Sequence, residues 1–232
     1  MLNPVSDCET LENSVCITSC LNQDEKNLFD SEKVSRTYKK GQYIYREGFS
    51  ASDFVMVYDG VVKITRQKSG GEECLLDFRK NNDLIGLESI IDNNRYESSA
   101  IAFTDVTIYI LKRELIIHLI KQNHEACKFL FKASVSSMSS LLRRIQDLSE
   151  GLAQVKLGRT LLMLYHYIPE SREKGLTIKR DELAEISGIS RETVSRSLSI
   201  LKEKKIINVV NRRIHLLDEK RIDKLSPARK TR

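Results

Sequence analysis

The chain has 232 residues, 30% charged and 41% hydrophobic, enough for one large or two medium domains with cores of their own. Its formal net charge of +6 is unevenly divided: residues 1–152 hold 19 Lys and Arg against 22 Asp and Glu, net −3, whereas residues 153–232 hold 19 against 10, net +9. No stretch nears the ~20 apolar residues of a membrane span, so membrane function is not expected, and a polyanionic partner is expected to meet the C-terminal third.

Residues 1 to about 20 show little periodicity and hold Cys8, Cys16 and Cys20. The start, MLNPVSDCET, has neither the basic opening nor the apolar core of a signal peptide, so the expected location is the cytoplasm. Five cysteines, an odd number, do not make a disulfide framework and suit a reducing compartment. From Asn22 onward, LNQDEKNLFD predicts a short helix that turns Leu28 and Phe29 to the core.

Between Lys39 and Thr104, turn signals recur at intervals of roughly 8 to 12 residues. They fall at Lys40-Gly41, Gly48, Asp59-Gly60, Gly70-Gly71, 81–83 and 92–94. The segments Val55 to Tyr58, Val61 to Thr65, Leu75 to Phe78 and Val106 to Leu111 are rich in β-branched and aromatic residues. The pattern predicts a roll of about eight short antiparallel strands, with Asp59-Gly60 as a hairpin turn.

After Lys112 the period becomes helical. Cys127, Phe131, Ser134, Met138, Leu141, Ile145, Leu148, Leu152 and Val155 step alternately by four and three, an a/d heptad seam. So narrow a seam favours a coiled coil with a second copy of the chain, a homodimer whose seam residues are Phe131, Met138, Leu141, Ile145 and Leu148. Leu130, Val135 and Leu142 leave open the alternative of a helix packed on its own domain. Leu157, Leu161, Leu162, Leu164 and Tyr165 predict another helix, ended by Pro169 and the SREKG loop.

The stretch Arg180 to Lys205, RDELAEISGISRETVSRSLSILKEKK, reads as helix, tight turn, helix. Gly188 supplies the positive φ that the turn needs, and Ser190 is a suitable N-cap for the second helix. On that helix Val194, Leu198 and Leu201 face inward, while Arg191, Glu192, Ser195 and Arg196 share the opposite stripe. Forked guanidinium donors suit guanine O6 and N7 or phosphate, and a glutamate accepts from cytosine N4. Arg180, Ser190, Arg191, Glu192, Ser195 and Arg196 are therefore the candidates for contact with double-stranded DNA. Ile206 to Val210, a turn at Asn211-Arg212-Arg213, and Ile214 to Leu217 follow as a β-hairpin, with Arg212 and Arg213 at its tip placed for phosphate. The tail from Lys220 to Arg232 is basic and expected to fray beyond Leu225.

A glycine-punctuated β-roll, a long helix and a winged helix bearing SRETVSR, in that order, resemble the Crp/Fnr family of bacterial transcription regulators over roughly residues 20 to 225. The resemblance implies an α+β chain: an N-terminal extension and cyclic-nucleotide-binding-like jelly-roll over residues 1–121, a dimerisation helix over 122–152, and a winged helix-turn-helix over 153–232. It implies that a signal in the roll re-angles paired long helices so that two recognition helices reach a palindrome, with RNA polymerase as a further partner. The family's reading positions fall on Arg191, Glu192, Ser195 and Arg196, and combine features of two branches.

For the signal, cyclic-nucleotide binders of the family carry a segment like FIGELGLF and then RSA. Here the text is LIGLESII, Leu84 to Ile91, then Ser98-Ser99-Ala100. The ribose glutamate is replaced by Leu87, with Glu88 one step out of register, and the phosphate arginine by Ser98. Losing that charge-assisted contact costs about 2–3 kcal/mol, so cyclic AMP is disfavoured, although Arg95 stands three residues away. Gly86, Leu87, Glu88, Ser89, Arg95, Ser98 and Ser99 are the candidate effector-pocket residues. GLESI is similar to the oxygen-sensing branch, which holds a [4Fe-4S] cluster on four cysteines. Cys8, Cys16 and Cys20 are candidate ligands, but their spacing differs from that branch, its fourth cysteine falls on Tyr109, and Cys74 or Cys127 would have to serve instead. Free thiols are the alternative. Haem, with His118, His124 or an N-terminal cysteine as an axial ligand, is a third candidate. The cofactor is thus unassigned. A competing function is a cyclic-nucleotide- or metabolite-binding module acting through a partner protein. An enzyme is not expected, since no nucleophile-base spacing, HExxH or phosphate-cradling glycine loop is present and the glycines fall at strand turns.

Overall fold

The computed structural model describes residues 16–71, 73–87, 95–149, 151–223 and 225. The chain divides into two compact units, Met1–Leu141 and Leu142–Arg232. No described helix is long and apolar enough to cross a membrane.

In the first unit a 3₁₀ turn, Ile17–Cys20, leads into α1 (Gln23–Glu32). The start of α1 follows from a capping box: the Asn22 side chain accepts from the Glu25 amide at 2.9 Å, and the Glu25 carboxylate accepts from the Asn22 amide at 2.8 Å. Phe29 is buried, but Leu28 is exposed, because neighbours on a helix lie about 100° apart and only one can face the sheet. Eight strands follow: β1 (Val34–Tyr38), β2 (Tyr43–Tyr45), β3 (Asp53–Asp59), β4 (Val62–Gln67), β5 (Glu73–Arg79), β6 (Leu84–Ile85), β7 (Ser99–Ala102) and β8 (Val106–Lys112). They form two four-stranded antiparallel sheets, ordered β1-β8-β3-β6 and β2-β7-β4-β5.

The expected roll is therefore present, with one correction of path. Asp59-Gly60 is not a hairpin turn: β3 lies in one sheet and β4 in the other, so the chain changes sheet there. The corner is held from across the roll, where Val61 N donates to Thr104 Oγ1 at 2.9 Å and Phe103 N donates to Val61 O at 2.8 Å. Gly60 has φ of +93°, and a Cβ on it would stand 2.3 Å from the Asp105 carbonyl oxygen. The Gly70-Gly71 signal does lie in a hairpin, between β4 and β5.

Two helices complete this part of the chain, α2 (Arg113–Gln122) and α3 (His124–Ser149). Asn123 links them and ties them to the N-terminal segment. Its Oδ1 accepts from Ala126 N at 3.1 Å, and its Nδ2 donates to Cys20 O at 2.9 Å and Glu25 Oε2 at 2.7 Å. Leu115, Ile116 and Leu119 join the core, whereas His118 is exposed. Cys16 and Ile17 also belong to that core, so the stretch without periodicity ends in a packed anchor.

The second unit contains the last turns of α3, then α4 (Ala153–Tyr167), a single turn α5 (Ser171–Lys174) where a loop was expected, α6 (Arg180–Ser187), α7 (Arg191–Glu203), the hairpin β9 (Ile207–Val210) and β10 (Arg213–Leu216), and α8 (Glu219–Asp223). Because α3 stops at Ser149, the heptad run does not continue in one helix to Val155. That residue lies in α4 and is buried with Leu157, Leu161, Leu183, Val194, Leu198 and Leu201. The Tyr165 hydroxyl donates to Ile214 O at 2.6 Å and accepts from Leu216 N at 2.9 Å, fastening the hairpin to α4. Burial raises the Tyr165 phenol above its ordinary range, so it keeps its donor proton at neutral pH.

Gly60→Ala is expected to lower stability by about 2–4 kcal/mol, since it combines a disfavoured φ with a backbone clash. Urea unfolding monitored by circular dichroism measures the loss.

Candidate functional site

Helix α7, the second helix of the motif, stands where local sequence puts it. Gly188 adopts the left-handed conformation, φ of +65°, and its amide donates to Ala184 O at 2.9 Å, closing α6. Ser190 Oγ then accepts from Thr193 N at 3.2 Å and starts α7. Val194, Ser197, Leu198 and Leu201 are buried, so the remaining stripe faces outward. Arg191, Glu192 and Arg196 are exposed on it, and Ser195 is half-buried between them. Arg180 is exposed at the first turn of α6.

The charges on that stripe are individually placed. Arg191 Nη1 lies 3.3 Å from Asp181 Oδ1, an exposed ion pair between the two helices of the motif. Glu192 accepts from its own backbone amide and the Ser190 hydroxyl, which together with Arg191 hold its carboxyl below the ordinary glutamate range. It is ionised at neutral pH and can only accept. Arg196 makes no hydrogen bond or ion pair among the described residues, leaving its donors facing solvent. Ser199, four residues after Ser195, is exposed on the same stripe and donates to Ser195 O at 3.2 Å. The residue-type reading missed it, although its i+4 spacing marks it.

At the hairpin the expected three-residue tip is a two-residue turn. Val210 pairs with Arg213, and only Asn211 and Arg212 lie between them, with φ of 50° and 63°. Two positive φ angles are what a type I′ turn demands. Arg212 is exposed at the tip, but Arg213 is a strand residue whose Nη1 donates to Lys174 O at 3.0 Å. Arg213 therefore braces α5 and is withdrawn from the tip position assigned to it. Arginine in a left-handed turn costs more than glycine would, and such strain points to a task for the side chain.

The first unit holds a cavity of about 510 Å³. Apolar side chains from the roll, including Tyr45, Ile64, Leu76, Leu84 and Leu87, form much of its wall, and Ser134, Ser137, Met138 and Leu141 of α3 contribute another part. Gly86 is confined there by φ of +75° and by the Tyr96 ring, 2.9 Å from where a Cβ would be, and that ring stacks on Tyr45 at 3.8 Å. Of the expected pocket residues, Gly86, Leu87 and Ser98 line the cavity. Glu88 and Ser89 lie outside the described residues. Ser99 is buried and its hydroxyl accepts from Glu47 N at 3.0 Å, away from the cavity lining. Arg95 is exposed and donates to Gly48 O at 2.8 Å, so it does not reach in.

An acidic residue missed from the sequence stands in that wall. Asp77, in the middle of the apolar strand ECLLDFR, is buried, pairs with Arg79, and accepts from Phe78 N at 2.8 Å and Ser140 Oγ of α3 at 2.9 Å. A charge inside such a strand was the available signal. The other lining arginine, Arg66, is half-exposed, 3.5 Å from Glu47. With Ser98 buried at the expected phosphate position and both lining arginines beside carboxylates, the site does not fit the buried phosphate of a cyclic nucleotide.

Nor do the described cysteines assemble for an iron-sulfur cluster. Cys16 is buried in the apolar core, Cys20 and Cys74 are half-buried, and Cys127 is exposed. No group of three or more His, Cys, Asp or Glu side chains among the described residues is placed to hold a metal ion. Cys8 lies outside the described residues. Of the two histidines considered as haem ligands, His118 and His124 are both exposed and neither lines the cavity.

Along α3 an exposed apolar row contains Phe131, Met138 and Ile145 of the expected seam, with Val135 and Leu142 beside them. Phe131 (71% exposed), Val135, Met138 (58%), Leu142 and Ile145 (62%) step by four, three, four and three. Leu141, also of the expected seam, is exposed as well (37%) and, like Met138, borders the cavity, whereas Leu148 is half-buried against Gly188.

Arg212→Gly is expected to raise stability by about 0.5 kcal/mol, because glycine adopts the left-handed turn without strain. Thermal unfolding compares the two proteins, and a loss would show that the side chain stabilises the hairpin.

Two family models match the chain: a cyclic nucleotide-binding domain over residues 35–123 and a Crp-like helix-turn-helix domain over residues 155–225. Among known proteins, the anaerobic regulatory protein of Bacillus subtilis is 24% identical over 194 residues, 82% of either chain. The cyclic AMP receptor protein of Thermus thermophilus is 27% identical over 191 residues, 80% of this chain and 85% of that protein. The structure of FixK2 from Bradyrhizobium japonicum matches the fold with a TM-score of 0.74 at 22% identity, over 84% of this chain and 98% of its own. With a nucleotide-domain roll ahead of a Crp-like helix-turn-helix, the chain belongs to the Crp/Fnr family of transcription regulators.

Proposed function

We propose that this protein is a homodimer that binds a palindromic promoter site in the cytoplasm and acts with RNA polymerase under control of a small ligand in the cavity. The observation that carries the reading is one chain with two outward surfaces: the cationic stripe of α7 and the narrow apolar row of α3. Burying that row between two copies stabilises the pair by roughly 1.5–3 kcal/mol per large side chain. The functional parts on this reading are an effector domain over residues 1–121, a dimer helix over 122–152 and a DNA-binding domain over 153–232. The net charge of +9 after residue 152 supports phosphate binding. The stripe of Arg191, Glu192, Ser195, Arg196 and Ser199 supplies base contacts, Arg180 and Arg212 supply phosphate contacts, and Ser190 sets the start of the helix.

The effector on this reading is not cyclic AMP. It enters a mostly apolar cavity where α3 supplies part of the wall, so occupancy bears directly on the dimer helix.

Three outcomes are expected. At fixed salt, Arg196→Ala weakens binding to a selected palindrome by about 1–3 kcal/mol with little change on random DNA, whereas Arg212→Gly weakens both alike. Fluorescence anisotropy decides, and equal loss on both DNAs for Arg196→Ala removes it from base reading. Ile145→Glu puts a charge into the row and is expected to yield monomers in analytical ultracentrifugation, with persistent dimers counting against the α3 seam. Ser98→Arg is expected to strengthen cyclic AMP binding by about one to two orders of magnitude in isothermal titration, and no gain would detach Ser98 from the phosphate position.

A further inference from the structure

Arg144, near the C-terminal end of α3, is only 9% exposed, a rare state for an arginine. Its Nη2 donates to the carbonyl of Ile186. That carbonyl is in the last turn of α6, where no amide four residues on remains in the helix to satisfy it and where the peptide dipoles concentrate negative charge. The guanidinium thus completes the end of the first helix of the helix-turn-helix, two residues before its turn.

Two more contacts bind the same short stretch of α3 to the same unit. Asp147 Oδ1 accepts from Arg159 Nη1 of α4 at 2.8 Å. Leu148 lies against the turn itself, with its Cδ2 2.9 Å from where a Cβ on Gly188 would be. Arg144 and Leu148 are one helical turn apart and share a face. Leu142 and Ile145, from the exposed apolar row, share another. These last turns of α3 thus hold the DNA-reading motif on one side and present the row on the other.

Burying a guanidinium costs several kcal/mol of hydration unless it is well partnered, and an apolar side chain of similar volume fills such a space without that cost. What the arginine adds is direction, because its donor meets one particular carbonyl. We infer that Arg144 is a positioning residue for DNA reading: it registers the helix-turn-helix on the part of α3 that carries the dimer row, so that the separation and angle of the two α7 helices follow the seam. The inference rests on the dimeric, palindrome-binding reading above.

The test uses full-length protein and palindromes selected from random DNA by the wild type, with one to five base pairs added to or removed from the centre, alongside single half-sites. The wild type is expected to prefer one spacing sharply. Arg144→Gln and Leu148→Ala are expected to keep half-site affinity within about twofold, to lose about tenfold or more on the best palindrome and to flatten the spacing preference. Arg144→Lys, which keeps one charged donor, is expected to recover part of the preference. A fold defect alone would weaken half-site and palindrome together and leave the preferred spacing in place. If Arg144→Gln does not fold, Leu148→Ala carries the test. Retention of the wild-type spacing preference by a folded variant overturns the role of Arg144 and leaves the dimeric reading intact. Absence of any spacing preference in the wild type overturns both, and is seen before a variant is made.

Discussion

Apolar surface left in water along α3 is the constraint from which the rest of the architecture follows. Phe131, Val135, Met138, Leu142 and Ile145 form a stripe too narrow to be the core face of a globular helix, yet too continuous to be scattered surface residues. The same helix makes further contacts, and Met138 belongs both to the row and to the cavity border. Met138 and Leu141, with Ser134 and Ser137, border the cavity, and Arg144 and Leu148 hold the reading motif. A single helix therefore gathers the apolar row, a wall of the ligand space and the support of the DNA-reading turn.

The two polar features embedded near α3 differ in chemistry. Asp77 is satisfied by Arg79, a backbone amide and the Ser140 hydroxyl, so its charge is compensated within the roll and at the helix that borders it. Arg144 meets a backbone carbonyl, a neutral acceptor at the negative end of a helix. Both groups are costly to bury and both are aimed. Together they set an arginine-carboxylate pair in the cavity wall and a buried guanidinium beside the turn of the helix-turn-helix.

Gly188 and Ser190 set the turn and the cap from sequence-local hydrogen bonds, and the buried Val194, Leu198 and Leu201 leave Arg196 exposed as a geometric consequence. Left-handed backbone outside glycine occurs at Lys205, just after α7, and at the hairpin tip, where Arg212 occupies a position that glycine would hold more cheaply.

Much of this was legible in the residues themselves. The helix-turn-helix, its cap and turn, the roll with its recurring turn signals, and the charge step after residue 152 all depend on interactions spanning a few residues, and those are written locally. What local pattern does not carry is which long-range partner a residue meets. Asp59-Gly60 is a good turn dipeptide in any context, and only the hydrogen bonds of Val61 to residues 103 and 104 make it a passage between sheets. The heptad steps allowed two neighbouring rows on α3, and contact with Gly188 half-buried Leu148 of one of them. Arg213 looked like a tip residue until the two-residue turn drew it into the strand beside Lys174. Composition and period determined the elements and their order, because both follow from short-range sterics and burial. Tertiary packing alone decided which faces stayed in water, because that depends on which distant surface reaches each face first.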